Sequence, residues 1–314
     1  MPETNTFTSS QLEINSTNEK NKLRFYKSKS KKRVIEKIIE GIFFICASAA
    51  VLSVAVITIY IFAKGSPAIL KIGIFKFIAG MSWHPTEGEF GILPMIVASL
   101  LGTFGAIVIG VSIGLFTAIF LAEIAPNRIA GIFRPAIELL AGIPSVVYGF
   151  FGLVVIVPLI TKFFGGTGNS LLAVIIILAI MILPTVISIS ETSIRAVPKE
   201  YKEGSLALGA SHIQTIFKVI IPAARSGIMA GIILGIGRAI GETMAVLMVS
   251  GNRALIPHSV LEPVRTLTGS IALEMSYAFG LHQQALFGIG VVLFVFIMAL
   301  NIILNIAVHK KAGI

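Results

Sequence analysis

Six long apolar stretches are the feature that most limits what this chain can fold into. Each approaches or exceeds the roughly 20 residues that a helix needs to cross the hydrocarbon core of a bilayer. Since a main chain in lipid must satisfy its own hydrogen bonds, these stretches predict transmembrane helices. The predicted spans are residues 38–62, 94–121, 139–160, 171–189, 227–249 and 285–308.

Composition supports the same fold class. Only 13% of the 314 residues are charged and 55% are hydrophobic, whereas about a quarter of a soluble domain is charged. The net charge of +10 does not indicate nucleic acid, because nine of the 25 cations lie in residues 20–37, ahead of the first span. The single cysteine, Cys46, excludes an intramolecular disulfide and a metal site built from cysteines. The sequence therefore predicts an all-α membrane protein.

The cations also predict domain organisation and topology. Residues 1–35 are polar and basic, which is typical of a disordered tail, and residues 36–314 form the predicted transmembrane domain. Cations are retained on the cytoplasmic side during insertion. With the N-terminus inside, the cytoplasmic segments hold 18 of the 25 cations and the outside segments hold six. We therefore expect both termini in the cytoplasm, and we interpret Trp83, in the first outside segment, as an interfacial anchor.

Two of the spans carry small residues at intervals of four. Such stripes allow the backbones of neighbouring helices to approach closely in lipid. They predict a compact bundle, although they do not separate internal packing from contacts with a partner. The stripes are Ala98, Gly102, Ala106, Gly110 and Gly114 in the second span, and Ala223, Gly227, Gly231 and Gly235 in the fifth.

Arg238 and Glu242 are the most informative residues within a span. A charge at the centre of a bilayer costs about 2.5–3.5 kcal/mol on insertion scales, so it usually faces a partner or a transport pathway. On a continuous helix a spacing of four places the two side chains on one face. One interpretation is a neutralised pair that only helps the helix to insert. The other is an anion pathway, because a guanidinium stays charged and matches phosphate-like oxygens.

The connection formed by residues 191–222 is the longest predicted cytoplasmic segment. Pro198 precedes a stretch that mixes charged and apolar residues, Gly209 follows it, and Pro222 stands at the predicted entry to the fifth span. These positions predict that one short helix ends near Gly209 and another begins near Pro222. Pro144 and Pro184 lie within predicted spans, where they are expected to bend their helices.

This connection resembles the EAA loop of binding-protein-dependent ABC importer permeases, E-A-A-x3-G-x9-I-x-L-P. Glu203, Gly204, Ser205, Gly209 and Pro222 have the spacing of that motif, with Gly and Ser in place of its two alanines. The resemblance implies a type I ABC importer permease fold and a coupling helix that docks on a separate ATPase. The sequence has no G-x-x-x-x-G-K-[ST] loop. We therefore expect a transport subunit without enzymatic activity or cofactor, with ATP bound by the partner subunits.

Three further strings resemble permeases of the high-affinity phosphate importer, in the prokaryotic cytoplasmic membrane. They are ELLAGIPSVVYG at 138–149, GRAIGETMAVLM at 237–248 and EIAP at 123–126. The second string is similar to the PstC type of subunit. That resemblance implies a PstA-type second permease, two ATP-binding subunits, an extracytoplasmic phosphate-binding protein, and roles for Arg238 and Glu242 in phosphate movement. Other oxyanions (sulfate, molybdate, phosphonate), the sister PstA type, a secondary transporter and a lipid-phosphate enzyme are the alternatives.

Overall fold

The computed structural model describes the backbone of residues 9–312 and the side chains of residues 36–303 and 306. The chain divides into two units, Met1–Tyr60 and Ile61–Ile314. Residues 1–8 and the side chains of residues 9–35 lie outside what the structure describes, so the disordered tail at 1–35 stays a prediction. The packed core lies within the second unit.

Among the described residues, the regular secondary structure is helical apart from one short hairpin and an isolated bridge between Gly251 and Val264. Strands β1 (Trp83–His84) and β2 (Glu89–Phe90) pair antiparallel. The helices, in chain order, are α1 (Ser9–Ile72), α2 (Ile74–Ala79), α3 (Leu93–Ile119), α4 (Asn127–Gly142), α5 (Ser145–Phe151), α6 (Val157–Phe164), α7 (Leu171–Arg195), α8 (Lys199–Ala207), α9 (His212–Thr215), α10 (Ile221–Gly241), α11 (Met244–Val249), α12 (Leu267–Glu274) and α13 (Gly280–Ala312).

Six helical segments of the described residues are long and apolar enough to cross a membrane, which confirms the prediction of six spans. The prediction is wrong in detail for the third and fifth spans, as the next two paragraphs show. The segments are Glu36–Ile72, Leu93–Ile124, Ser145–Phe164, Leu171–Arg195, His212–Gly241 and Gly280–Ile303.

The third predicted span, 139–160, begins too early. Helix α4 ends at Gly142, Ile143 is extended, and α5 begins after Pro144. Proline has no N–H to donate and restricts the residue before it to extended conformations. Pro144 therefore separates two helices, contrary to the prediction that it bends one. Pro184 does lie inside the continuous helix α7, as predicted.

The fifth predicted span, 227–249, is interrupted. Helix α10 ends at Gly241, Glu242 is extended with ψ of 128°, and α11 begins at Met244. Main-chain groups freed inside a membrane-spanning region are tolerated where protein or a water-filled cavity surrounds them. The chain therefore has two helix interruptions at the strings that resemble the phosphate permeases.

Helices α3, α7 and α10 pack through the small-residue stripes, which confirms the predicted compact bundle. An added Cβ at Gly110 would lie 2.7 Å from Ile182 Cδ1 and 2.9 Å from the carbonyl oxygen of Ala179. Residue numbers of the contacting pairs increase together along α3 and α7, so these two helices are parallel. Along α10 and α7 the numbers change in opposite directions, so these two helices are antiparallel. The neighbours are Gly102 with Val174, Gly110 with Ile182, Gly114 with Val186, Gly227 with Ser193, Gly231 with Ile189, and Gly235 with Val186.

The connection between α7 and α10 contains two short helices, but Pro222 does not begin one. Helix α9 begins at His212, where the Ser211 hydroxyl accepts from the Gln214 N–H at 3.2 Å and the Gln214 side chain accepts from the Ser211 N–H at 3.0 Å. The helix then continues through one π-helical turn, Ile216–Ile220, into α10. A π-helical turn changes the hydrogen-bonding pattern within the helix, so the helix can accommodate a proline, which has no N–H to donate. The prediction of a helix start at Pro222 is therefore wrong.

Candidate functional site

Arg238 lies at the middle of the helix bundle. It occupies the last turn of α10, less than one turn beyond Gly235, which contacts Val186. Because α10 runs antiparallel to α7, this position is opposite the centre of the 25-residue helix α7. A cation in the last turn of a helix is stabilised by the partial negative charge of the helix end. The sequence therefore predicted its depth correctly.

Glu242 does not share a helix face with Arg238, because α10 has ended before it. Its carboxylate accepts a hydrogen bond from the N–H of Ala245 at 3.1 Å. The first N–H groups of a helix lack intrahelical partners, and carboxylates bind them well. Glu242 thus caps α11, and among the described residues Arg238 forms no salt bridge. The inferred pairing of these two residues on one helix is wrong.

The two helix interruptions lie beside each other. Helices α5 and α11 approach so closely that an added Cβ at Gly149 would lie 2.9 Å from Ala245 Cα. Tyr148 is buried, and its hydroxyl donates to the carbonyl oxygen of Leu140 at 2.7 Å, across the first interruption. The guanidinium of Arg238 is close enough to this hydroxyl to interact electrostatically with it. Tyr148 therefore belongs to the same site as Arg238.

Helix α12 connects this site to the end of the bundle that carries the β1–β2 hairpin. The Thr268 hydroxyl donates to the carbonyl oxygen of Glu242 at 3.0 Å. At the other end of α12, buried Glu274 accepts from Arg265 at 2.6 Å, Trp83 at 2.9 Å and pairs with His282 at 2.8 Å. Trp83 is 5% exposed, so its interpretation as an interfacial anchor is wrong.

The charges around Glu274 affect the neighbouring side chain of Tyr277. Partial burial, and then the Glu274 carboxylate, raise the pKa of the Tyr277 hydroxyl above its usual range, while Arg265 opposes this. A burial effect disfavours the charged phenolate, as does a neighbouring negative charge.

The residues of the EAA-like motif lie on and around α8. Glu203, Gly204 and Gly209 are exposed, and Gly209, with φ of +84°, ends the helix in a conformation that favours glycine. The Ser205 hydroxyl lies 3.0 Å from that of Thr215. Pro222 is exposed ten residues beyond the start of α9. An added Cβ at Gly204 would meet nothing within 4 Å, so alanine would also fit there.

Apolar side chains surround the motif on the surface of the chain. Four large side chains near α8 and α9 are more than half exposed, two of them before the span His212–Gly241 and two in its first turns. Large exposed apolar groups on a polar surface mark interaction sites. They are Tyr201 (54%), Leu208 (91%), Ile213 (56%) and Phe217 (51%).

The sequence analysis did not predict the ion pairs of two carboxylates near the same end of the bundle, whose side chains are at most 10% exposed. Glu123, at the end of α3, pairs with Lys202 at 2.6 Å. Glu191, in α7, accepts from Arg134 at 2.6 Å and from Arg195 at 3.0 Å. The cations had been counted only as topology signals. Because the partners lie far apart in sequence, only the short spacing of Glu191 and Arg195 could have suggested a pair.

One exposed group has the residue types of a metal site. His84, Glu87 and Glu89, on the hairpin, have side-chain ligand atoms within 4.8 Å of one another. Exposed histidine and glutamate side chains on a tight turn come together without a metal as well. The expectation that the chain needs no cofactor of its own stays a prediction.

Comparisons with known proteins agree with the fold and show the family. Residues 110–310 match the family described as "Binding-protein-dependent transport system inner membrane component". The chain is 43% identical over 257 residues to the probable ABC transporter permease protein YqgH of Bacillus subtilis, covering 80% of this chain and 83% of the relative. It is 37% identical over 281 residues to the phosphate transport system permease protein PstC of Mesorhizobium japonicum, covering 82% and 86%.

Solved structures share the fold. An inward-facing structure of the MetNI methionine ABC transporter superposes with a TM-score of 0.57 at 19% identity, covering 73% of this chain and 99% of that chain. This likeness supports the predicted type I ABC importer permease fold. The chain is thus a multi-pass membrane protein that belongs to the family of binding-protein-dependent transport system inner membrane components.

Proposed function

We propose that this chain is the PstC-type permease subunit of an ATP-driven importer of inorganic phosphate. The observation that carries the proposal is Arg238, a cation at the centre of the bundle, beside two helix interruptions and without a carboxylate partner among the described residues. An ionisable side chain at membrane depth faces a partner, the bundle interior or a water-filled pathway. The relatives named as phosphate permeases support phosphate as that counterion.

The interrupted helices suit a site that must release its ligand. Discontinuous helices at the middle of a membrane bring helix ends and free main-chain groups to the substrate. An anion that is held too tightly would not leave. Because Arg238 is one guanidinium and Glu242 is engaged with α11, the site offers a single strong donor, which suits transient contact with phosphate.

The remaining assignments follow from this role. Glu203, Gly204, Ser205, Gly209 and Pro222 form the coupling segment that meets an ATPase, and the exposed apolar side chains around α8 fit such a contact. A PstA-type permease completes the pathway, two ATP-binding subunits bind and hydrolyse ATP, and an extracytoplasmic protein delivers phosphate. Both termini lie in the cytoplasm of a prokaryote. This subunit is not an enzyme and binds no cofactor.

Labelled phosphate uptake tests the proposal. The host cells lack their own high-affinity phosphate importer and receive this chain with its genomic neighbours. We expect uptake that needs an active ATPase and resists excess sulfate and molybdate. Uptake of phosphate that is abolished by sulfate or molybdate would instead identify another oxyanion as the substrate. Failure of phosphate uptake in cells that contain the assembled complex would contradict the proposal.

A further inference from the structure

Helix α8 is tied to the rest of this chain by two side-chain contacts with different destinations. The Ser205 hydroxyl contacts Thr215, which lies in the next helix along the chain. The Lys202 ammonium contacts Glu123 Oε2 at 2.6 Å, and Glu123 lies 79 positions earlier, at the end of α3. The second contact therefore connects α8 directly to a membrane-spanning segment that is distant in sequence.

Glu123 is largely buried and lies beside a cavity between α8 and the core. Its side chain is only 10% exposed, whereas Lys202 is 35% exposed. A cavity of about 370 Å³, lined by Ala122, Val197 and Leu206 among others, separates much of α8 from the core. Because α8 is not closely packed there, the ion pair bridges a gap that apolar contacts leave open. An ion pair with one nearly buried member is also screened less than a surface pair.

The end of α3 is joined to α7 as well. Glu123 belongs to a π-helical turn, Phe120–Ile124. In the same turn, the carbonyl oxygen of Leu121 accepts from Arg195 Nη2 at 2.9 Å. Farther into the bundle, α3 and α10 both pack on α7 through glycines. A displacement of Glu123 would thus be passed to a block of three helices, one of which carries Arg238.

We infer that Glu123 is a positioning residue that transmits the movement of α8 to the α3–α7–α10 block. The inference rests on the proposed function, in which α8 is the segment that an ATPase moves. The main chain around Gly209 connects α8 to α9 and α10, and His212 of α9 lies 4.0 Å from Glu123. The ion pair adds a second point of attachment, so that α3 moves with α8 rather than staying behind.

A charge exchange in the assembled importer tests the inference. The complex is reconstituted in vesicles, and phosphate uptake and ATP hydrolysis are measured together for Glu123→Lys, Lys202→Glu and the double variant. We expect each single variant to hydrolyse ATP while the phosphate taken up per ATP falls by about fivefold or more, as for a lost coupling between sites. The double variant, which restores an ion pair of opposite direction, should recover to within about twofold.

Two further variants separate charge from folding. Glu123→Gln keeps the size of the side chain and removes its charge, so its uptake per ATP should lie between those of the unaltered chain and Glu123→Lys. Glu36→Lys makes the same change of charge at the exposed first residue of the first membrane-spanning segment and should leave the ratio unchanged. Single variants that keep the ratio, or a double variant as impaired as the worse single variant, would overturn the inference.

A spectroscopic measurement makes the test independent of phosphate. In a Cys46→Ser background, a spin label is attached at Ser112→Cys in α3 or at Leu208→Cys beside α8, both of which are exposed. When the ATP-binding subunits of the complex bind ATP, both labels should change mobility in the unaltered chain. In Glu123→Lys, only the label at 208 should do so. A label at 112 that still responds in Glu123→Lys would overturn the inference. Absence of phosphate uptake with normal label responses would count against the proposed substrate alone.

Discussion

The α3–α7–α10 block and the region of interrupted helices are held together by different forces. The block has little polar chemistry at its contacts, and its glycines allow backbones and aliphatic side chains to touch, as Gly110 and Ile182 do. In the interrupted region, hydrogen bonds hold the ends of the helices instead. Thr268 holds the carbonyl of Glu242, and Glu242 holds the start of α11.

This difference indicates which part can change conformation. A closely packed apolar interface has few alternative arrangements, so it moves as one body. A hydrogen bond in a membrane protein can be exchanged for another, because its net contribution is only about 0.5–1.5 kcal/mol. The site around Arg238 therefore lies where a rigid block meets a part of the chain that can rearrange.

The largest effect is expected at Glu274, where α12 meets the β1–β2 hairpin. Glu274→Ala removes the carboxylate that forms hydrogen bonds with Arg265, Trp83 and His282. Because Arg265 is only 16% exposed, its charge would be left without a partner, which costs about 3–5 kcal/mol. Thermal unfolding of the detergent-solubilised protein should show a clear loss of stability. Glu89→Ala, at an exposed carboxylate of the hairpin, is the control, and an equal effect of both would contradict the account.

The block itself should be sensitive to added volume. Gly110→Val introduces atoms where Ile182 and the carbonyl of Ala179 already lie, and such overpacking costs about 1–3 kcal/mol. The free energy of unfolding should fall accordingly. Gly131→Val, where an added Cβ meets nothing within 4 Å, should have little effect on stability. A tolerated valine at 110 would show that the block is loosely packed.

A smaller and more local effect is expected at Thr268. Thr268→Val keeps the shape of the side chain and removes its hydrogen bond to Glu242, at a cost of about 1 kcal/mol. Hydrogen exchange should become faster at the Ala245 amide and stay unchanged in the middle of α10. Thr192→Val, whose hydroxyl bonds only within its own helix, is the control. Exchange that rises equally in α10 would mean that the two regions are not separate.

The smallest effect is expected within α10, where one glycine faces α7 and another does not. An added Cβ at Gly237 meets nothing within 4 Å, whereas one at Gly235 lies 3.1 Å from Val186. Gly237→Ala should therefore stabilise α10 by about 0.5–1 kcal/mol, the gain that alanine gives in a helix interior. Gly235→Ala should give no such gain. Chemical unfolding of the two variants compares them directly, and equal gains would refute the assigned packing face.

The apolar spans and the small-residue stripes could be predicted because they depend on local spacing. The residue types set the length and the packing face of each helix, which is why Gly102, Gly110 and Gly231 were found. Gly209 was also predicted correctly, since a helix end with positive φ favours glycine over other residues. Arg238 was found because a cation in an apolar stretch is conspicuous.

The interruptions and the ion pairs could not be predicted in the same way. Glu242 had the spacing of a helix neighbour, but the competing bond to the Ala245 amide ends the helix first. The partners of Glu123, Glu191 and Glu274 lie mainly on other elements, so their burial depends on the folded arrangement. Trp83 was misinterpreted for that reason, because its indole finds a buried carboxylate instead of the membrane surface.

The most direct test of the central claim is phosphate uptake by the assembled complex carrying Arg238→Gln, compared with Arg225→Gln. Both arginines lie on α10, but Arg225 is exposed near its beginning and Arg238 lies at mid-depth. A hydrogen bond to a charged group contributes about 1.5–3 kcal/mol, so we expect uptake to fall about 10- to 100-fold in Arg238→Gln alone, with assembly and ATP hydrolysis retained. Normal uptake in that variant would contradict a role for Arg238 in anion passage.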